Sequence, residues 1–311
     1  MAFVWSNTLT EYRVRPPSVP KKQIRLLDVI IIASVFALVG FIIYRIEHVL
    51  VYDWNWWQVL QYVASIDEET GALIPNLFLK GVAMTLRLAF WGTIMAVIIG
   101  IVMGFCRVSS ILFFRMVSRL YVELIRNIPP IVFIFTFYFF ISSQIMPILG
   151  VDEFVINASP TTASIVGFFF SPIGLFENFL AGVICLAMFE GAYITEIVRA
   201  GIQSIEKGQW EAARAVGLSR LNVMRDIILP QAIRKVLPPL AGQFITLVKD
   251  SSIVSLISIQ DLTFLTQDVA NTTTRFFEAW IITGILYFMI CYPLAILFSR
   301  LEIRMKKSPS Y

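Results

Sequence analysis

The sequence is poor in charged residues and in histidine, and both shortages argue against certain classes of protein. Charged residues make up 15% of the 311 residues and hydrophobic residues 58%, whereas a soluble domain is about 25% charged and about 45–50% apolar. The composition therefore argues against a water-soluble fold. His48 is the single histidine, which leaves little scope for a histidine-ligated metal or a catalytic relay centred on histidine.

Cysteine is also scarce, and the motifs of common enzymes are missing. Cys106, Cys185 and Cys291 lie in or beside apolar stretches, without the short Cys/His spacing that metal sites use. The sequence contains neither a glycine-rich phosphate loop ending in Lys-Ser or Lys-Thr nor a Gly-x-Ser-x-Gly elbow. We therefore expect no metal site, no enzyme activity and no nucleic-acid partner. Any energy that the protein uses must come from another chain.

What the sequence does contain is a series of apolar blocks of about twenty residues, the length that an α-helix needs to cross about 30 Å of hydrocarbon. These blocks predict an all-α integral membrane protein with six transmembrane helices, at about residues 26–44, 79–105, 128–145, 179–198, 236–257 and 279–298. The first block is too long for the apolar part of a signal peptide and lacks a small-residue cleavage site. We expect it to be retained as a helix.

Basic residues are concentrated in every second segment outside these helices, and this distribution predicts the topology. Five, four, seven and four Lys and Arg residues lie at 1–25, 107–126, 199–235 and 300–307, respectively. Because Lys and Arg favour the cytoplasmic side, these segments and both termini are predicted to be cytoplasmic. The opposite segments are acidic, and the last of them contains Asp261, Asp268 and Glu278.

The most specific pattern lies between the fourth and fifth predicted spans. Residues 209–216 favour a short helix, which Gly217 can end in the left-handed conformation, and Ser219 can cap a second helix. From this pattern alone, the two-helix elbow is either a simple surface feature or an element that docks in a groove of another protein. Pro230, Pro238 and Pro239 bracket the predicted start of the fifth span, where they are expected to bend the link to the elbow.

The elbow resembles the signature of binding-protein-dependent ABC importer permeases. That signature is Glu-Ala-Ala, three residues, Gly, nine residues and Ile-x-Leu-Pro, and it is matched by Glu211, Ala212, Ala213, Gly217, Ile227, Leu229 and Pro230. In this family the elbow is a coupling helix that inserts into a cleft of the ATPase subunit. The resemblance implies an ATPase-coupling role for Trp210, Glu211, Ala212, Ala213, Arg214 and Gly217.

The flanks narrow the resemblance to permeases for polar amino acids. The segments that carry it are residues 121–129, 192–201, 207–210 and 247–255, and the likeness covers about residues 76–304. Asn127 departs from the glycine that members of the family commonly have. The resemblance implies a type I importer permease with a core of five helices, to which this chain adds one N-terminal helix.

The same resemblance implies the partners and the place of work. Polar amino acids would enter the cytoplasm across a bacterial inner membrane, and an extracytoplasmic binding protein would deliver them. A dimer of ATPase subunits would bind ATP and magnesium, while this chain binds no cofactor. The second permease subunit is either the same chain or a paralogue. A stand-alone secondary transporter or channel is the alternative, but it gives no reason for the elbow.

The predicted organisation has four parts. A basic cytoplasmic tail at 1–25 precedes the extra helix and an extracytoplasmic loop at 26–77. The permease core occupies 78–304 and includes the coupling loop at about 203–230, and a second cytoplasmic tail occupies 305–311.

Ionisable side chains inside the predicted spans are costly and therefore candidates for function. Arg87 and Lys249 could meet the carboxylate of an amino acid, while Glu190 or Asp250 could meet its ammonium group. The structural alternatives are a Lys249–Asp250 ion pair, a Glu190–Arg87 ion pair between two helices, and an Arg87 side chain that reaches the membrane–water interface. The candidates for the substrate pathway are Arg87, Glu190, Lys249, Asp250, Ser251 and Ser252.

Overall fold

The structure is a computed structural model that describes residues 26–48, 52–67 and 71–307. The chain divides into two units, of which the first ends at Asp53 and the second begins at Trp54. The predicted basic tail at 1–25 lies outside the described residues, as do residues 308–311 of the predicted C-terminal tail.

In the first unit, the described part is almost entirely helix α1 (Leu26–His48). Its stretch Leu26–Arg45 is long and apolar enough to cross a membrane, and the side chains of this stretch are exposed within the unit. A helix that is apolar on every side is suited to a lipid environment. The apolar N-terminal helix predicted from the sequence is therefore present.

The second unit is predominantly helical. Its elements are α2 (Trp56–Leu60), β1 (Ala64–Ile66), β2 (Leu73–Pro75), α3 (Leu77–Val108), α4 (Leu112–Asn127), α5 (Pro130–Phe140), α6 (Met146–Ile148), α7 (Val151–Ile156), α8 (Pro160–Phe169), α9 (Phe176–Gln203), α10 (Lys207–Ala215), α11 (Arg220–Asn222), α12 (Leu229–Asp250), α13 (Leu262–Thr273) and α14 (Phe276–Lys307). Two π-helical turns lie at Ile141–Ile145 and Val223–Ile228, and two 3₁₀ turns lie at Ile173–Leu175 and Ser251–Ile257.

Six helical stretches of the described residues are long and apolar enough to span a membrane, as predicted. They are Leu26–Arg45, Leu77–Val108, Pro130–Ile148, Ile173–Gln203, Arg220–Ile257 and Phe276–Arg304. The fifth stretch begins sixteen residues before the predicted start at residue 236, because α11 continues into α12 through a π-helical turn. Pro238 and Pro239 therefore lie inside α12 rather than at its start.

A small hairpin precedes the first span of the second unit. Strands β1 and β2 pair antiparallel, with Ser65 opposite Ile74, and three-residue strands are too short to leave a pattern in a sequence. The Asn55 N–H donates to Glu278 Oε1 at 2.8 Å. The segment from Asn55 to the hairpin therefore belongs to the second unit.

Helices α3 and α9 form the centre of the second unit and approach each other closely. Gly92, Ala96, Gly100 and Gly104 recur at every fourth position of α3 and are buried. A Cβ atom added at Gly100 would lie 2.3 Å from Cγ2 of Ile194 on α9. Small residues of this kind let two membrane helices pack backbone to backbone. The elbow and the fifth span pack against this α3–α9 pair.

Candidate functional site

The elbow is formed by α10, a turn and α11, and α10 ends in a Schellman motif. The Gly217 N–H donates to Arg214 O at 2.9 Å, and the Leu218 N–H donates to Ala213 O at 3.3 Å. Gly217 has a φ of 84°, which glycine adopts without Cβ strain. The side chain of Ser219 accepts a hydrogen bond from the N–H three residues later at 3.3 Å. The predicted short helix, glycine stop and serine cap are confirmed.

One face of the elbow is exposed and the other is anchored. Glu211, Ala212 and Arg214 are exposed, and Trp210 is half-buried. Ala213 is only 7% exposed and belongs to a buried apolar cluster. Of the two alanines in the signature, Ala212 is therefore available to a partner, whereas Ala213 holds the elbow to the rest of the chain.

This buried cluster connects the elbow to three spans. Its members on α3, α9, α10, the π-helical turn and α12 are Ala96, Ala187, Ile194, Val198, Ile202, Ala213, Val223, Ile228, Ala232 and Val236. A polar contact reinforces it, because Lys235 Nζ on α12 donates to Ser204 O after α9 at 2.9 Å. The elbow is therefore packed continuously against α12 through buried apolar side chains.

Among the charged residues within the spans, Glu190 has the most constrained surroundings. Its side chain on α9 is fully buried, and its Oε2 accepts a hydrogen bond from Gln243 Nε2 on α12. Its Oε1 receives no hydrogen bond from the described part of the chain. The carboxyl group of Asp250, at the end of α12, lies close to it. Two carboxyl groups thus meet between α9 and α12, where a cation would satisfy both.

The remaining candidates lie on α3 and at the end of α12. Arg87 on α3 is half-buried and Lys249 is exposed, and no ion pair within 4.0 Å joins either one to an acid of the described segments. The Glu190–Arg87 pair considered from the sequence is therefore not formed. Ser251 is buried and donates to Val248 O at 2.8 Å.

Ser252 is half-buried next to Ser251, and both serines belong to the 3₁₀ turn that follows α12. The structure thus brings Glu190 and Asp250 together. The Ser251 hydroxyl caps the end of α12 through its hydrogen bond to Val248 O.

Several polar contacts between α4 and α9 were not assigned from the sequence. Tyr121 Oη donates to Met188 O at 2.6 Å, and burial raises the pKa of the Tyr121 hydroxyl, so that it remains a donor. The Arg126 guanidinium lies 5.1 Å from the centre of the Tyr193 ring, within the range of a cation–π contact. Tyr121, Arg126 and Tyr193 lie in segments that carry the family resemblance, but their roles become visible only once α4 and α9 are paired.

Asp261, counted as an outer-loop acid in the sequence, is fully buried. It caps α13 by accepting a hydrogen bond from the Phe264 N–H at 2.9 Å. Burial raises its pKa to about 7, although the hydrogen bonds from the backbone oppose the shift. Asp261 therefore stabilises α13 and is not available as a surface charge for docking.

Residues 96–307 match the family of binding-protein-dependent transport system inner membrane components. The matched stretch contains the whole elbow, both carboxyl groups between α9 and α12, and the spans that follow. The chain belongs to this family. As an inner membrane component of such a transport system, it is a multi-pass membrane protein, and its six candidate spans agree with that.

This transport-system component is similar to permeases described as carrying amino acids. It is 33% identical to the probable amino-acid ABC transporter permease protein YckA of Bacillus subtilis (strain 168) over 224 residues, which are 72% of this chain and 87% of that protein. It is 32% identical over 233 residues to the probable glutamine ABC transporter permease protein GlnM of the same organism, covering 75% of this chain and 95% of GlnM.

One solved structure is also similar to this component. It is described as an amino acid ABC transporter with histidines, and the match has a TM-score of 0.59 at 35% sequence identity. The match covers 73% of this chain and 94% of the other. The fold of the second unit is therefore that of an ABC transporter membrane subunit.

Proposed function

We propose that this chain is the permease subunit of an ABC importer and that it moves polar amino acids into the cytoplasm. The observation that carries the proposal is the elbow, in which the signature residues Glu211, Ala212 and Gly217 form an exposed helix ended by a Schellman motif. The printed descriptions of YckA and GlnM as amino-acid and glutamine permeases support the substrate class.

The energy comes from a separate ATPase subunit, because the sequence of this chain contains no phosphate-binding loop. Two ATPase subunits bind ATP and magnesium beneath two permease subunits, of which the second is this chain again or a paralogue. The exposed face of α10 enters a groove of the ATPase, as amphipathic helices do in other complexes. Glu211, Ala212, Arg214 and the half-buried Trp210 provide that face.

Closure of the ATPase pair displaces α10, and Ala213 passes this displacement to the π-helical turn Val223–Ile228 and then to α12. Because α12 also carries Gln243 and Asp250, the movement changes the surroundings of Glu190. ATP binding to the ATPase is thereby linked to a change around Glu190, between the membrane-spanning helices.

The substrate path passes the two carboxyl groups between α9 and α12. Glu190 and Asp250 attract the ammonium group of an amino acid, while Lys249 and Arg87 attract its carboxylate. Ser251 and Ser252 border the path at the end of α12. Both termini and the elbow lie in the cytoplasm, and the substrate-binding protein docks on the opposite face, where the acidic segments are.

The coupling role is tested with Gly217→Pro. Proline fixes φ at about −65°, whereas Gly217 has a φ of 84°. The variant therefore cannot form the turn after α10. In proteoliposomes that contain the complete transporter, we expect ATP hydrolysis to continue while amino-acid uptake falls at least about tenfold. Uptake of labelled amino acid and release of phosphate are measured on the same preparation.

Gly167→Ala is the matched control, because Gly167 is in α8, outside the elbow, and an added Cβ would meet no atom within 4 Å. It should leave uptake unchanged. Normal uptake by Gly217→Pro would contradict the coupling role. If the purified chain transported amino acids without an ATPase, the alternative of a stand-alone secondary transporter or channel would replace the proposal.

A further inference from the structure

Two adjoining cavities open beside the elbow, and both are lined by basic side chains. Their volumes are about 790 Å³ and 320 Å³, and both are lined by Arg107, Arg115 and Gln203. We call them together the basic cleft, and its basic residues are Arg107, Arg115, Arg119, Arg199, Lys207, Arg214 and Arg220. Neither lining contains an acidic side chain. The charge of the basic cleft is therefore suited to an anion.

The position of the basic cleft coincides with the ends of two spans. Val108 ends the span formed by α3, Gln203 ends the span that contains α9, and both residues line the larger cavity. Apolar side chains of Phe105, Ile202 and Met224 line the same cavity. The basic cleft thus lies at the ends of two candidate membrane-spanning helices and presents apolar as well as basic side chains there.

Acidic neighbours neutralise only part of this charge. Glu196 lies 3.4 Å from Arg107 and 2.6 Å from Arg199, so one carboxylate serves two guanidinium groups. Arg115 donates instead to the carbonyl oxygens of Ser109 and Ser110 at 2.9 and 3.0 Å. Neutral acceptors leave the positive charge of Arg115 uncompensated.

Lys207 and Arg220 likewise have no acid of the described segments within 4.0 Å. Arg214 also lines the larger cavity, but its side chain belongs to the face of α10 proposed for the ATPase. The uncompensated charge is therefore shared by several side chains around the larger cavity.

Helix α4 adds an exposed apolar surface next to these charges. Leu112 and Met116 line the smaller cavity and are 61% and 60% exposed, and Leu120, one turn further along, is 67% exposed. Helix α4 lies outside the candidate spans. A helix with exposed apolar residues beside arginines is typical of the membrane interface, where acyl chains and anionic headgroups are both within reach.

We propose that the basic cleft binds the headgroup phosphate of an anionic phospholipid from the cytoplasmic leaflet. Arg115 and Arg220 contact the phosphate, and the apolar side chains of α4 contact the upper part of the acyl chains. The proposal rests on the orientation predicted for this chain and not on the identity of its substrate.

The test compares lipid binding by the intact transporter, with its ATPase, and by an Arg115→Gln/Arg220→Gln variant. Each complex is equilibrated with equal amounts of phosphatidylglycerol and phosphatidylethanolamine that carry the same acyl chains, and bound lipid is counted by native mass spectrometry. We expect the unmodified complex to prefer phosphatidylglycerol. The preference should fall by about tenfold in the variant, since every basic residue near an anionic surface strengthens binding.

Two further variants make the result specific to the basic cleft. Arg115→Lys/Arg220→Lys keeps both charges and should retain the preference, which separates loss of charge from loss of fold. Arg225→Gln/Arg234→Gln removes two exposed charges from the same predicted side, outside both linings, and should also retain it.

Several results would overturn the proposal. One is an equal preference for phosphatidylglycerol in the unmodified complex and in the Arg115→Gln/Arg220→Gln variant. Another is a loss of that preference in the Arg225→Gln/Arg234→Gln control as large as in the Arg115→Gln/Arg220→Gln variant. Binding of phosphatidylglycerol only after removal of the ATPase would show that the ATPase fills the basic cleft. Displacement of the lipid by millimolar inorganic phosphate would show that the site takes free phosphate instead.

Discussion

The carboxylate of Glu190 is energetically costly where it lies. A buried charged group that lacks a hydrogen bond costs at least about 1–3 kcal/mol, and Glu190 receives one hydrogen bond, from Gln243, while Asp250 places a second carboxyl group nearby. A purely structural acid at this position would be better replaced by an apolar residue. The arrangement is therefore suited to a group that meets a cation during transport.

Glu190→Gln is expected to weaken amino-acid uptake while leaving the protein folded. Glutamine retains the shape of the side chain and a hydrogen-bonding oxygen for Gln243, but it removes the charge. The KM of uptake should rise at least about tenfold, because the loss of a hydrogen bond to a charged group costs about 1.5–3 kcal/mol. The exposed acid Asp268 provides the control Asp268→Asn, and an unchanged KM in Glu190→Gln would exclude the ammonium-binding role.

Glu190 could be selected from the sequence because an acid inside an apolar block is conspicuous. Gln243 could not, since an uncharged polar residue in a span is unremarkable until the register of α9 against α12 is known. The same limit explains Tyr121 and Arg126, whose partners Met188 and Tyr193 lie more than sixty residues away along the chain. Side-chain partners across helices depend on packing, which a single sequence does not specify.

Among the elements, α3 determines how closely the central helices can approach. Its buried small residues at every fourth position place the backbone of α3 against α9, and Gly81 does the same near α13, where an added Cβ would lie 2.7 Å from the Leu262 Cα. The spacing of these residues is visible in the sequence. Their partner helix is not, because glycine spacing identifies a packing face without identifying its neighbour.

Gly100→Ala should destabilise the protein by about 1–3 kcal/mol, the range for overpacking in a tight interior. The added Cβ would lie 2.3 Å from Ile194 Cγ2 and 3.2 Å from the Ile194 carbonyl carbon, so α3 and α9 would have to separate. Thermal unfolding in detergent measures the loss. Gly242→Ala, in α12, meets no atom within 4 Å and serves as the control; equal unfolding midpoints for the two variants would refute the close-packing argument.

At the scale of the whole molecule, composition alone was sufficient to predict six spans, because blocks of about twenty apolar residues have few other uses. The ends of the spans were less predictable. The fifth was placed too late because the amphipathic segment from Arg220 was interpreted as part of the elbow, whereas in the structure it continues into α12. The burial of Asp261 and Glu278 could not be predicted from the sequence either, because acids between predicted spans are normally exposed.

The predicted orientation has a direct measurement in single-cysteine variants with the native cysteines replaced by alanine. Ser110 and Asn157 are both exposed, and the distribution of basic residues places them on opposite sides of the membrane. Asn157→Cys should react with a membrane-impermeant maleimide in intact spheroplasts, whereas Ser110→Cys should react only after permeabilisation. The reverse labelling pattern would invert the topology, and with it the assignment of the elbow to the cytoplasm.

The π-helical turn Val223–Ile228 allows the link between two functional faces to lose a residue without a change in their relative phase. A π-helical turn contains one residue more than the α-helical turn it replaces, whereas each residue of an α-helix rotates the helix by about 100°. Deletion of a single residue within the turn would leave an α-helical turn, and the exposed side of α10 would keep its alignment with the side of α12 that carries Gln243. The same deletion inside α12 would rotate one face relative to the other by about 100°, although every side chain of both faces remained in place.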